Sequence, residues 1–140
     1  MSGLVIGHDE AVAGWVSGIT GVPFHPPYSA IGIESGGRLT GAFVFTGFNG
    51  AGIDLSVAGQ GIAGRDAWRA ALHYVFVQCG CVRLQMHTRK SNKRVCRILG
   101  KFLPRRSYEG ISRRYYGDED GVCFALTADD LPAFKAKWGL

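Results

Sequence analysis

Nothing in this 140-residue sequence approaches the ~18 consecutive apolar residues of a membrane-spanning helix, which excludes a helical anchor as its organising feature. The start, Met1-Ser2-Gly3-Leu4-Val5-Ile6-Gly7, lacks the basic segment and the apolar length of a secretory signal. It also lacks the second-position glycine of a myristoylation site. Cysteine is sparse and poorly spaced for metal. The four are Cys79, Cys81, Cys96 and Cys123, and the one close pair has a single residue between its members instead of the about two to four of a zinc knuckle. No metal site is expected; the cysteines read as reduced, buried thiols of a cytoplasmic protein. No repeat or low-complexity linker divides the chain, so 1–140 reads as one domain.

Acid is missing from one stretch. Between Arg89 and Arg114 ten Lys or Arg stand against a single acid, Glu109, a net +9 in a chain whose total is +5. Such a basic third fits an anionic partner (nucleotide phosphates, nucleic acid or an acidic surface) or a solvated basic helix face. Glycine is abundant instead, 21 residues, which means many tight turns or backbone brought close to a ligand.

The periodicities divide the chain into elements. Val12, Trp15, Val16 and Ile19 recur at helical spacing after Asp9, a capping residue, and a Pro-rich connector with His25 follows. Three extended runs, 28–35, 39–48 and 52–58, are separated by the turn pairs Gly36-Gly37 and Asn49-Gly50, an antiparallel meander. After Gly59-Gln60-Gly61 the period changes. Ala67, Trp68, Ala71, Leu72, Val75, Phe76 and Cys79 form a wide helical stripe that stops at Gly80. Val82, Leu84 and Met86 alternate with Arg83, Gln85 and His87 as a strand, which the intervening helix makes parallel to 52–58. Ser91 or Asn92 caps a further helix ending at Pro104. Runs at 108–116 and 122–127 read as strands, followed by a terminal helix.

This order resembles the GCN5-related N-acetyltransferase (GNAT) family, and in particular its ribosomal-protein and small-molecule acetyltransferase branch and small phage-encoded relatives. The resemblance covers about 28–126 and rests on "GQGIAGRDAWRAALHYVFVQCGCVRLQMHT", "SNKRVCRILGKF" and "YEGISRRYY". It implies an α/β (α+β) fold: a mixed central sheet of about six to seven strands, a meander followed by a βαβ crossover, and helices on both faces. It further implies acetyl-CoA as cosubstrate, held by Ser56, Val57 and Ala58 on the third meander strand, by the loop Gln60, Gly61, Ile62, Ala63, Gly64 and Arg65, and by Asn92. A glycine-rich loop opening a helix presents free N–H groups and a positive dipole end to phosphates, which agrees with that role. Ala63 stands at a position the family's loop gives to glycine, and Leu99 stands seven residues after Asn92, where many members carry a tyrosine acid.

The reaction implied is direct attack of an amine, from a small molecule or a protein, on the acetyl thioester. Asp54 and Glu34 are the candidate bases, with His87 and His25 behind them and His73 structural. Tyr115 is the candidate acid, beside Tyr116, although both sit in a strand-like pattern. Trp15, Trp68 and Trp138 read as core. The cysteines have no histidine at a spacing that would activate a thiolate. Two other readings stand beside the enzyme: a catalytically degenerate binding or virion-associated protein of the same fold, and a nucleic-acid module using the basic run, whose aromatic interleaving is poor. The expected assembly is a monomer or homodimer.

Overall fold

The computed structural model describes residues 2–59 and 64–140. The elements run β1 (Ser2–Ile6), α1 (Asp9–Thr20), β2 (Ser29–Ser35), β3 (Arg38–Thr46), β4 (Gly52–Gly59), α2 (Arg65–Leu72), β5 (Arg83–Arg89), α3 (Lys93–Phe102), β6 (Tyr108–Ser112), β7 (Gly121–Thr127) and α4 (Leu131–Trp138). They build one seven-stranded mixed sheet in the order β1-β2-β3-β4-β5-β7-β6, antiparallel except for the parallel β4–β5 pair. Mixed α/β architecture, the meander and the βαβ crossover are as the sequence implies.

The turn chemistry makes the meander. Gly36 and Gly37 both take positive φ, 60° and 77°, the conformation a two-residue hairpin turn demands. At the next turn Asn49 Oδ1 accepts from the N–H groups of Ala51 (3.0 Å) and Gly52 (2.8 Å), closing the chain on its own side chain.

The alternation along β3 feeds two cores of different grain. Phe43 and Phe45 point to one face with Ile31, Ile33, Leu55 and Leu84, beneath α2, α3 and α4. Ala42 and Val44 point to the other, with Ala30 and Ala58, beneath α1. Small side chains let α1 sit close. A Cβ at Gly32 would lie 2.7 Å from Leu39 Cδ2 and 3.2 Å from Val12 Cγ2. The larger core is joined by aromatics: Trp68 packs between Phe43 (5.0 Å between ring centroids) and Phe102 (4.8 Å), and Phe102 meets Phe134 (5.0 Å) and Trp138 (5.2 Å). Trp68 is a core residue, whereas Trp15 and Trp138 are half-buried.

Several local expectations are corrected. A strand at the N-terminus, β1, was not anticipated; it pairs with β2, Leu4 opposite Ile33. Asp9 does not cap α1. His8 holds the cap position, and Asp9 Oδ1 accepts instead from Ala30 N at 3.0 Å, tying α1 to β2. The long stripe is not α-helical throughout. His73–Gln78 is π-helical, with Cys79 N bonding five residues back to Tyr74 O at 2.9 Å. The strand expected over 108–116 stops at Ser112, because Arg114 adopts a left-handed φ of 54° that no strand accommodates. Tyr115 and Tyr116 therefore lie in a turn and are not sheet residues.

Candidate active site

The parallel seam between β4 and β5 closes for only half its length. Gly52, Ile53, Asp54 and Leu55 pair with Arg83, Leu84, Gln85 and Met86, and there the ladder ends. Beyond it, β4 continues through Ser56, Val57, Ala58 and Gly59 while β5 continues through His87, Thr88 and Arg89, and neither offers the other a backbone partner. β3 still pairs β4 as far as Gly59, and β7 still pairs β5 as far as Arg89. Both strands therefore remain firmly held while parting from one another. Their facing N–H and C=O groups are left for a ligand or water.

The opening is a cavity of about 400 Å³ lined by Ser56, Val57, Ala58 and Gly59 on one wall, by His87, Thr88 and Arg89 on the other, and by Asn92, Arg94 and Val95 at the start of α3. Gly59 is required where β4 passes under α1. It takes φ 85°, and a Cβ there would lie 2.4 Å from Thr40 O and 2.8 Å from Trp15. A second cavity of about 300 Å³ adjoins the first. Asp54, Leu55, Thr46, Phe24, His25 and Tyr115 line it, and it shares Val22, Ser56, His87 and Tyr116 with its neighbour. The four shared residues mark the junction of the two cavities.

Asp54 in the smaller cavity is held by a chain of side chains from three strands. Glu109 on β6 pairs with Arg83 (2.5 Å), Arg83 bonds Gln85 Oε1 (2.7 Å), and Gln85 Nε2 donates to Asp54 Oδ1 (2.7 Å). Burial raises the Asp54 pKa above its usual value, while His87, Gln85 and Arg83 pull the other way. The hydrogen bond from Arg83 holds the Glu109 carboxyl below its usual range. Burial lowers the His87 pKa, against the attraction of Asp54, so the imidazole is neutral at pH 7. Its ring lies flat on Tyr115, centroids 3.8 Å apart and planes 4° apart, and its Nε2 is 3.4 Å from Ser112 Oγ. Its Nδ1 is buried with no hydrogen-bond partner. Burial raises the Tyr116 pKa strongly, so this phenol keeps its proton; the Arg89 guanidinium sits over its ring at 4.6 Å.

Among the residues expected from sequence, Asp54, Ser56, Val57, Ala58, Asn92 and Tyr115 line these two adjoining cavities. Asn92 also caps α3, accepting from Val95 N at 3.2 Å. Glu34 is not brought to them. It pairs with Leu39 at one end of β3, and Asp54 pairs with Thr46 seven residues further along, roughly 23 Å away at about 3.3 Å per residue. Gln60, Gly61, Ile62 and Ala63 lie outside the described residues. Gly64 is the N-cap of α2, and Arg65 packs by Gly139, 3.8 Å from an ideal Cβ there. Arg69 is held by Asp66 (3.0 Å) and by Gly139 O (3.0 Å). His73 is exposed on α2's extension. His87, one of the four residues shared by the two cavities, lies where the strands part, a position that alternation along β5 does not reveal.

The basic run is partly spent internally. Arg89 binds Asp118 (3.0 Å) and Glu119 (3.2 Å), and Arg106 Nε binds Asp130 (2.7 Å). Arg94 faces the larger opening. No described helix is long and apolar enough to cross a membrane, and no group of His, Cys, Asp or Glu among the described residues could hold a metal ion.

No family model and no curated protein matches this sequence. Solved structures do. A GCN5-related N-acetyltransferase from Brucella melitensis aligns with a TM-score of 0.63 at 22% identity over 79% of this chain and 56% of its own. The spermidine/spermine N-acetyltransferase SpeG from Vibrio cholerae aligns at 0.69 with 11% identity over 95% and 98%. A GNAT family acetyltransferase from Elizabethkingia anophelis, with acetyl-CoA bound, aligns at 0.58 with 13% identity over 71% and 76%. The chain spans less than two thirds of some neighbours, 56% of the Brucella protein and 64% of another aligned structure. At these identities the likeness establishes the fold. It is that of the GCN5-related N-acetyltransferases.

Proposed function

We propose that the protein binds acetyl-CoA in the opening between β4 and β5 and transfers the acetyl group to a primary amine. The observation that carries this reading is the end of the β4–β5 ladder at Leu55 and Met86, where the larger cavity runs into the smaller one at Ser56, His87 and Tyr116. Two reactants approaching from opposite cavities meet there, and holding them together contributes several kcal/mol of barrier lowering.

The residues present fit the cosubstrate. Unpaired backbone groups of 56–59 match the amide-bearing pantetheine arm, and Asn92 and Arg94 lie along the same opening. Gly64 and the free N–H groups of the first turn of α2 suit the pyrophosphate. Acetyl-CoA supplies an activated acyl group. Asp54 holds the incoming ammonium, and neutral His87 takes a proton from it. The freed amine nitrogen bonds to the acyl carbon while the C–S bond breaks, a backbone N–H of 56–58 stabilising the carbonyl oxygen. Tyr116, which lines both cavities, relays the second nitrogen proton: it gives its own proton to the departing thiolate and takes one from the new amide nitrogen, so the phenol ends protonated and the amide neutral. Tyr115 positions His87 by stacking.

A catalytically silent binding protein is the second reading. One observation favours it: Leu99, at the position of the family's tyrosine, is buried in the core at 2% exposure. Titration calorimetry with acetyl-CoA, combined with thiol release in the presence of amines, separates the two. Acetyl-CoA is expected to bind at micromolar to sub-millimolar concentration, and Gly64→Asp to weaken it at least tenfold. Asp is a good N-cap, so this variant keeps its stability and reports on phosphate binding alone. Absence of binding at millimolar acetyl-CoA rejects the reading, and binding without turnover on any amine selects the silent protein.

A further inference from the structure

We infer that the acceptor is a primary amine carrying a single positive charge on an apolar or aromatic body, and that di- and polyamines are discriminated against. This rests on the acetyltransfer reading above and names the acceptor for the same site.

The smaller cavity carries one carboxylate. Asp54 lines only this cavity, two residues before the junction at Ser56, and the walls away from the junction are Pro23, Phe24, Leu55 and Tyr115 with His25 and Thr46. A first ammonium finds Asp54. A second, further along the same chain, finds no other carboxylate among the lining residues. The nearby acids are already committed to arginines: Glu109 to Arg83, Asp118 and Glu119 to Arg89. Asp120 accepts from the backbone N–H of Arg114 at 2.9 Å. Arg89 and Arg94, which line the adjoining larger cavity, put positive charge and no carboxylate on that side. Desolvating one ammonium against one carboxylate is balanced; desolvating a second with no partner is not. At about 300 Å³ the cavity is at the small end for an organic ligand, enough for a short alkyl chain or one ring. The amine is supplied either by a free small molecule or by the N-terminus of a peptide that begins with an apolar residue.

Matched acceptors test this. Thiol release from acetyl-CoA is measured with n-hexylamine against 1,6-diaminohexane, with phenethylamine and spermidine, and with an amidated Phe-Gly-Gly peptide. The monoamine of the matched pair is expected to have a kcat/KM at least about tenfold above the diamine. Asp54→Asn is expected to lose most turnover with every amine, and His25→Glu to shift the ratio toward the diamine by supplying a second carboxylate. Phenethylamine outperforming the peptide identifies a small-molecule acceptor, the reverse a peptide N-terminus; either keeps the single-charge rule. Equal or better use of diamines overturns the inference while leaving acetyltransfer intact. If no amine is acetylated although acetyl-CoA binds, the acetyltransfer reading has failed. NMR titration of the acetyl-CoA-loaded protein with the same matched pair then decides: stronger monoamine binding sustains the single-charge rule, and equal, diamine-favoured or absent binding ends it.

Discussion

Along the β4–β5 seam, residues 52–55 and residues 56–59 of one strand have opposite surroundings. The first four are laddered to β5, and two of them, Ile53 and Leu55, are buried against Leu84 and Met86 in the larger core. Their polar neighbours are cross-braced through Asp54, Gln85, Arg83 and Glu109. The next four keep β3 on one side and face a cavity on the other. The closed half contributes apolar burial and fixed geometry. The open half leaves backbone polar groups available at positions the closed half has set. A parted pair of strands is costly in an isolated hairpin, yet here each strand retains an antiparallel neighbour, so the opening is a rigid slot.

The difference is sharpest under mutation. The largest effect is expected at the open half: His87→Asn lowers kcat by about 10²–10⁴-fold while the unfolding midpoint barely moves. The pH profile of the parent rises as the imidazole loses its proton, below the usual histidine value of 6.5, and then flattens; in His87→Asn that rise disappears. A variant that unfolds instead would break the distinction between the halves. Next comes the closed half. Leu84→Ala, at a site with 0% exposure, costs about 2–5 kcal/mol in denaturant titration and leaves acetyl-CoA affinity of the folded protein within about threefold. Gln85→Met, which cuts the brace to Asp54, raises KM for the amine by roughly tenfold with about 1 kcal/mol lost in stability. The smallest effect concerns Asp54 itself. Its pKa is raised in the folded protein, so its stabilising contribution is present below the unfolded value of 3.8 and is lost as pH rises through the native value. Asp54→Asn should therefore unfold at slightly higher denaturant than the parent at pH 7 and not at pH 3, even as it loses activity.

The turns and stripes that define the fold were legible because single residues carry them: Gly36-Gly37, Asn49-Gly50, and the apolar spacing from Ala67 to Val75. β1 was not, since five residues without clear alternation become a strand only through pairing with β2. β6 was overextended because Arg113-Arg114-Tyr115-Tyr116 offers no glycine, proline or other turn residue before Gly117, and carries no sign of the left-handed Arg114. Asp54 and the backbone of 56–58 were placed correctly on their strand. Glu34 looked equivalent to Asp54 because strand membership does not say which end of a meander a side chain occupies. The weight of His87 was hidden for a related reason: its strand shows up in alternation, but the point where two strands separate does not.

Arg89 joins the end of β5 to the turn that bears both tyrosines. It binds Asp118 and Glu119 and covers the Tyr116 ring, while Glu119 also takes the N–H (3.1 Å) and hydroxyl (2.9 Å) of Ser91. Asp118 is 77% exposed, so the outer of these contacts stands in the ionic atmosphere, where the Debye length is about 8 Å at physiological strength. Salt should therefore loosen one wall of the smaller cavity well before it disturbs the sheet. Under the proposed acetyltransfer, ionic strength becomes a control on how tightly an amine is gripped, acting through the strand that also carries His87.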